Sequence, residues 1–180
     1  MKLNTERLII QPLELKHAEA FYNYRSDAET NKLQGWIPYA LEDCLDFIKN
    51  KVAKEINIPK TWYQLVVIKK DNEEVIGDIG IFFLDPKGKE VEIGCTFAKQ
   101  HHGNGYASES IREIIDYLFN ELDKHCVTAF IEPENHASEK LLLRLGFKAV
   151  TYAKERIYED GKWFDDVIYT LQKKEWKKGL

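Results

Sequence analysis

The chain has little of what secreted, metal-stapled or membrane-spanning proteins are built on. Its 180 residues include three cysteines, Cys44, Cys95 and Cys126. They form no CxxC pair and each sits among apolar neighbours, which argues against a disulfide framework or a cysteine zinc site and predicts reduced thiols in a core. Among five histidines only His101 and His102 are adjacent; His17, His125 and His136 lie far off at no ligand spacing, so no metal is expected. No run of about eighteen apolar residues occurs, and the opening MKLNTERLIIQPLEL lacks the apolar stretch of a signal peptide. A cytoplasmic protein with no membrane partner is the expectation.

An excess of positive charge is also missing. Lys and Arg number 26 against 30 Asp and Glu, a formal net charge of −4 and a pI near 5.8. No bulk field draws nucleic acid or an anionic membrane, and a cationic or neutral small molecule is the better partner. There is no internal repeat, low-complexity segment or Pro/Ser linker. With 44% hydrophobic and 12% aromatic residues, the chain can bury one core, which predicts a single domain over residues 1–180. The basic tail KKEWKKGL reads as a solvated end.

What is present is periodicity. ERLIIQPLEL reads as a strand, and KHAEAFYNYRSDAET has helical spacing through Ala18, Phe21 and Tyr22. After the GWIPY loop, Leu41, Cys44, Leu45 and Ile48 begin a second amphipathic helix running through KNKVAKEIN. WYQLVVIKK, EVIGDIGIFFL and EVEIGCTF are β-branched and aromatic runs separated by KDNE and DPKGK, a three-stranded antiparallel meander. Ala107, Ile111, Ile114, Ile115, Leu118, Phe119 and Leu122 then form one apolar stripe on a long helix. CVTAFIEP is a buried strand, and NHASEKLLLRLGF is a helix capped by Asn135, with Arg144 in its last turn and Gly146 just past its end. A hairpin around EDGK closes the order β-α-α-β-β-β-α-β-α-β-β.

Glycine is scarce, 10 in all, yet QHHGNGYASES places Gly103 and Gly105 two apart between a strand and the long helix. A glycine turn there leaves backbone N–H groups pointing at one spot, where the helix dipole adds positive character: a phosphate cradle. The P-loop needs a Lys-Ser/Thr pair after its last glycine, where Tyr106 follows Gly105, and the dinucleotide fingerprint needs a third glycine where Ser108 stands.

QHHGNGYA instead resembles the Q/R-x-x-G-x-G/A loop of the GNAT N-acetyltransferase superfamily. TERLIIQPL, VEIGCTFAKQHHGNGYASES and NHASEKLLLRLGF are, in that order, similar to segments of its RimJ/RimL-type branch, whose members acetylate protein α-amines, small amines or antibiotics. The resemblance implies an α/β (α+β) GNAT fold: a mostly antiparallel mixed sheet of seven strands, as counted above, with helices on both faces. It implies acetyl-CoA as co-substrate. Gln100, His102, Gly103, Asn104, Gly105, Tyr106 and Ala107 would then bind it through the loop backbone, Thr96, Phe97 and Ala98 would pair with its pantetheine arm, and Asn135 would contact it as well.

Acetyl transfer to an amine needs a neutral amine, a donor to the developing oxyanion and a proton for the leaving thiolate. In EVEIGCTF, Glu92 shares one strand face with Gly94 and Thr96, leading toward the glycine loop. Glu92 is the candidate base, although a solvated strand face explains Glu90 and Glu92 equally well. Where many family members have a proton-donating tyrosine this chain has Leu142, and Ser138 stands where RimL-like members have a serine as the proposed acid. The acceptor pocket is expected between the GWIPY loop, the first helices and the final hairpin, with Trp36, Tyr39, Trp163, Asp165 and Asp166 as walls. The acceptor is a primary amine, on a small molecule or at a peptide N-terminus, attacked directly in a ternary complex; a homodimer is left open. Two other readings stay open: a silent acyl-CoA sensor of the same fold, and a nucleotide-phosphate site.

Overall fold

A computed structural model describes residues 1–84, 88–159 and 162–177. Parts of the turns DPKGK (residues 85–87) and EDGK (residues 160–161) and the last three tail residues lie outside them. The elements are β1 (Leu3–Asn4), β2 (Leu8–Pro12), α1 (Ala18–Arg25), α2 (Leu41–Asp46), β3 (Thr61–Lys69), β4 (Val75–Phe83) and β5 (Glu90–Phe97). They continue with α3 (Tyr106–Asn120), β6 (Cys126–Ile131), α4 (His136–Arg144), β7 (Lys148–Glu159) and β8 (Lys162–Gln172). One open sheet runs β1-β2-β3-β4-β5-β6-β8-β7. Among the described residues its only parallel neighbouring strands are β5 and β6, because the long helix α3 carries the chain across between them.

The expected order holds, with one added strand. The two-residue β1 pairs Leu3 with Ile10 and Asn4 with Ile9, giving eight strands among the described residues where seven were read, since two residues carry no detectable period. β3 is buried on both faces, as a central strand covered by helices must be. Leu65 and Val67 join the core of Ile111, Ile114, Leu118 and Phe119 from α3, whereas Val66 and Ile68 join Phe21 of α1, Cys44 of α2 and Ile48. The apolar stripe of α3 is the buried one, from Ile111 to Phe119.

Both early helices stop short of the segments read for them. The Asn31 amide donates to the carbonyls of Tyr24, Arg25 and Asp27 at 2.6, 3.3 and 3.0 Å, and the Asp27 carboxylate accepts from the N–H groups of Glu29 and Thr30. These side chains satisfy the end of α1 and start a turn. α2 passes into one wider π turn at Phe47–Lys51 and ends at Val52, which is extended and bridges to Trp62 beside β3. The tail is also less solvated than its charge implied: the Trp176 indole donates to Asp116 at 3.3 Å and packs edge-on against Phe119.

Candidate active site

β5 and β6 pair for only three residues, Glu90 with Cys126, Val91 with Val127 and Glu92 with Thr128. Beyond that, β5 stays on β4 as far as the pair of Phe97 with Gly77, while β6 follows β8 as far as Ile131 with Val167. The two strands therefore diverge, and the sheet opens into a cleft with two halves of about 480 and 360 Å³. Leu33, Gln34, Cys95, Asn135, Ser138 and Leu141 line both halves and mark where they meet.

The larger half ends at the glycine loop. Gly103 and Gly105 have φ of 78° and 80°, the left-handed region that only glycine enters cheaply, and Gly105 is the N-cap of α3. A side chain at Gly103 would meet nothing within 4 Å, so the loop is open on that side. Among the described residues, the backbone N–H groups from Gly105 to Ser108 have no backbone acceptor, as expected for a helix start. His102 Nε2 donates to the Phe97 carbonyl at 2.8 Å and the Asn104 amide donates to the carbonyls of His101 and His102, which brace the turn on the end of β5.

Of the residues read for this half, Thr96, Phe97, His102, Gly103, Gly105, Tyr106, Ala107 and Asn135 line it. Ala98 and Gln100 border a separate depression beside Glu74; the Ala98 N–H is used by Ile76 on β4, at 2.9 Å. Asn104 is exposed behind the turn. Sequence reasoning missed Lys140 and Arg144, cationic walls of the same half, which share one face of α4 with Ala137 and Leu141. Their spacing of three and four residues was the available signal.

The smaller half lies over the β3–β5 face on which Trp62, Gln64, Gly80, Glu92, Gly94 and Thr96 alternate with core residues. Gly94 matters for its missing side chain: a Cβ there would project into space with nothing within 4 Å. Lys32–Gly35 and Trp62 form further walls, and Glu132, just past β6, and Asp166 of β8 approach as well. Burial, then the neighbouring Glu134 and Asp166 carboxylates, raise the pKa of Glu132 from its ordinary value. Trp36, by contrast, stacks on Phe47 at 4.8 Å and on Phe21 at 6.1 Å between α1 and α2. Tyr39 is 95% exposed, Trp163 is more than half exposed, and Asp165 accepts from the Tyr152 hydroxyl at 2.5 Å; none of the four lines the cleft. Asp166, its neighbour, is buried and does.

At the junction, Ser138 sits in the first turn of α4, its N–H donating to Asn135 Oδ1 at 3.1 Å. Leu142 is buried in the core and contributes an apolar wall. The Cys95 thiol is pushed up to about 12, chiefly by burial and then by Asp78; it stays protonated at neutral pH and is a poor nucleophile. Asp78 itself is fully buried and accepts from the Tyr24 hydroxyl at 2.8 Å, the Arg25 guanidinium at 3.0 and 2.6 Å and the Gln64 amide at 2.5 Å. That network ties the end of α1 to β3 and β4. Thr96 Oγ1 donates to Gln34 Oε1 at 3.0 Å and so fastens the following loop over the cleft.

The comparisons with known proteins identify this split mixed sheet, with its glycine-capped helix at the split, as an acetyltransferase architecture. The chain belongs to the GNAT acetyltransferase family, whose acetyltransferase (GNAT) domain model matches residues 7–148. It is similar to the uncharacterized N-acetyltransferase p20 of Bacillus licheniformis, 31% identical over 97% of each chain. It is also similar to the [ribosomal protein uS5]-alanine N-acetyltransferase of Escherichia coli, 25% identical over 99% of this chain and 94% of that one. The crystal structure of a GNAT-family acetyltransferase from Bacillus anthracis superposes with a TM-score of 0.83 at 28% identity, covering 97% of this chain and 100% of the other. The protein is an N-acetyltransferase, and enzymes of this family use acetyl-CoA. Among the described residues no helix is long and apolar enough to cross a membrane, and no group of three or more His, Cys, Asp or Glu side chains is arranged to hold a metal ion.

Proposed function

We propose that the enzyme moves the acetyl group of acetyl-CoA directly to a primary amine within a ternary complex, the donor lying in the larger half of the cleft and the acceptor in the smaller. The observation that carries this reading is the junction: a single set of side chains, with Cys95, Asn135 and Ser138 among them, lines both halves. The open glycine turn and its N–H groups suit a diphosphate, and Lys140 and Arg144 suit the remaining phosphate charge. The free edge of β5 beyond Glu92 offers backbone partners to an extended amide chain.

An alkylamine with pKa near 10.4 is neutral on the order of one part in a thousand at pH 7. In this reading Glu92, on the acceptor side, takes the ammonium proton directly or through water. The nitrogen then attacks the thioester carbonyl carbon, the C–S bond breaks, and the excess proton left on the nitrogen passes to the departing thiolate, which Ser138 hydrogen-bonds directly or through the water that relays the proton. The protonated Cys95 thiol supports direct attack over an acyl-enzyme.

Thiol release from acetyl-CoA, followed with a thiol-reactive dye across alkylamines, polyamines, aminoglycosides and N-terminal peptides, tests the reading. Turnover with one class supports it and identifies the acceptor, while CoA binding without turnover on any amine argues for a silent binding module. Two variants probe the donor half. Gly105→Val forces a β-branched residue to a φ of 80° and is expected to weaken CoA binding at least tenfold by calorimetry, through strain of about 1–2 kcal/mol and a displaced turn. Ser138→Ala is expected to lower kcat by roughly tenfold with the KM for acetyl-CoA within twofold, since a serine hydroxyl is a weak acid. An unaltered kcat would remove Ser138 from the mechanism.

A further inference from the structure

The TERL segment between β1 and β2 reaches the glycine turn from behind. Arg7 N donates to Glu109 Oε1 at 3.0 Å, Arg7 Nε and Nη2 hold Oε2 at 2.7 and 2.6 Å, and the Thr5 hydroxyl donates to Oε1 at 2.5 Å. Glu109 lies in the first turn of α3, 102 residues further along the chain. The Arg7 guanidinium also lies 4.5 Å from the centre of the Tyr106 ring, and its Nη1 donates to the Asn104 carbonyl at 3.1 Å. Arg7 does not line the cleft.

The last contact has a geometric consequence. In a trans peptide the carbonyl and the following N–H point in opposite directions. Arg7 draws the Asn104 carbonyl to the rear of the loop, so the N–H of Gly105 is directed to the other side, where Gly105 lines the larger half of the cleft. The carboxylate in the same helix turn, which would oppose an incoming phosphate, is matched by the same guanidinium. Burial works against the Glu109 charge, but the hydrogen bonds from Thr5 and Arg7 outweigh it and hold its pKa below the ordinary value.

We propose that Arg7, locked to Glu109 and Thr5, is a positioning residue that orients the Asn104–Gly105 peptide toward the diphosphate of the acyl donor. This inference rests on the reading of the larger half as the acetyl-CoA site. The test compares acetyl-CoA with S-acetylpantetheine, which lacks the diphosphate, in wild type, Arg7→Met and Glu109→Gln, with CoA binding followed by calorimetry and folding by thermal unfolding.

Arg7→Met is expected to weaken CoA binding and to raise the KM for acetyl-CoA about tenfold, the worth of one charge-assisted hydrogen bond. The kcat at saturation and the KM for S-acetylpantetheine should stay within about twofold. Glu109→Gln, which leaves the loop contacts but loosens their anchor, is expected to give the same donor split at roughly threefold and serves where Arg7→Met fails to fold. Unchanged CoA affinity in folded variants, or an equal rise for both donors, overturns the inference while the donor site stands. A wild type that binds no CoA overturns the donor site and the inference with it.

Discussion

Glu92→Gln is expected to reduce kcat at pH 7 about a hundredfold, the ordinary cost of removing a general base, with the KM for acetyl-CoA unchanged. The split follows from the cleft: Glu92 lines the smaller half, the acceptor site of the proposed reading, and not the larger. Glutamine keeps the size and the hydrogen-bonding capacity of the side chain and removes only its ability to take a proton. The pH profile sharpens the test. As pH rises from 7 toward 10, solvent supplies more neutral amine, so the variant should gain on wild type by up to tenfold per unit. Thiol release over that range, at saturating acetyl-CoA, reads both effects. Full activity at pH 7 would exclude Glu92 as the base and leave it as a side chain on a solvated strand face.

Asp78→Ala is expected to cost about 3–5 kcal/mol of folding stability, because it strands a partner charge away from water. Arg25 has only 12% of its side chain exposed, and Asp78 none. The Tyr24 hydroxyl and the Gln64 amide lose their acceptor at the same time. Against a typical total of about 5–15 kcal/mol, such a loss is visible as a lower midpoint in urea. Pairing Asp78→Leu with Arg25→Met removes both charges, and the double variant should be more stable than the sum of its singles implies, by about 1–3 kcal/mol. Since the network anchors the chain leading into Lys32–Gly35, the acceptor KM should rise more than that of acetyl-CoA. A single variant with the wild-type midpoint would deny the network its structural role.

Local features of the fold were readable in advance. Gly103 and Gly105 adopt positive φ where two glycines two apart called for a tight turn. Asn135 caps α4 through its own side chain, and Gly146 follows the helix at a φ of 91°. The stripe on α3 and the β3–β5 meander each rest on a period that repeats for eight residues or more. Where a signal fell below that length, as in β1, or where side chains cut a helix short, as Asn31 does for α1, it was not legible.

The larger half of the cleft was more legible than the smaller for the same reason. A glycine turn and a helix start are adjacent in the chain, so one motif describes them. The walls of the smaller half include Lys32–Gly35, Trp62, Glu92, Glu132 and Asp166, on five separate segments. The aromatics nearest the expected pocket were satisfied elsewhere: Trp36 found Phe47 and Phe21 to stack on, and Tyr39 stayed in solvent.

By itself the sequence determined the order of elements, the glycine turn, the capped helices and the resemblance to acetyltransferases, since each depends on residues close together along the chain. Tertiary structure alone decided where β5 and β6 part, which carboxylates face the gap, and that Arg7 stands behind Gly105. Those depend on the pairing of segments as much as 104 residues apart, and such pairing is set by the packing of the whole sheet between its two helical layers.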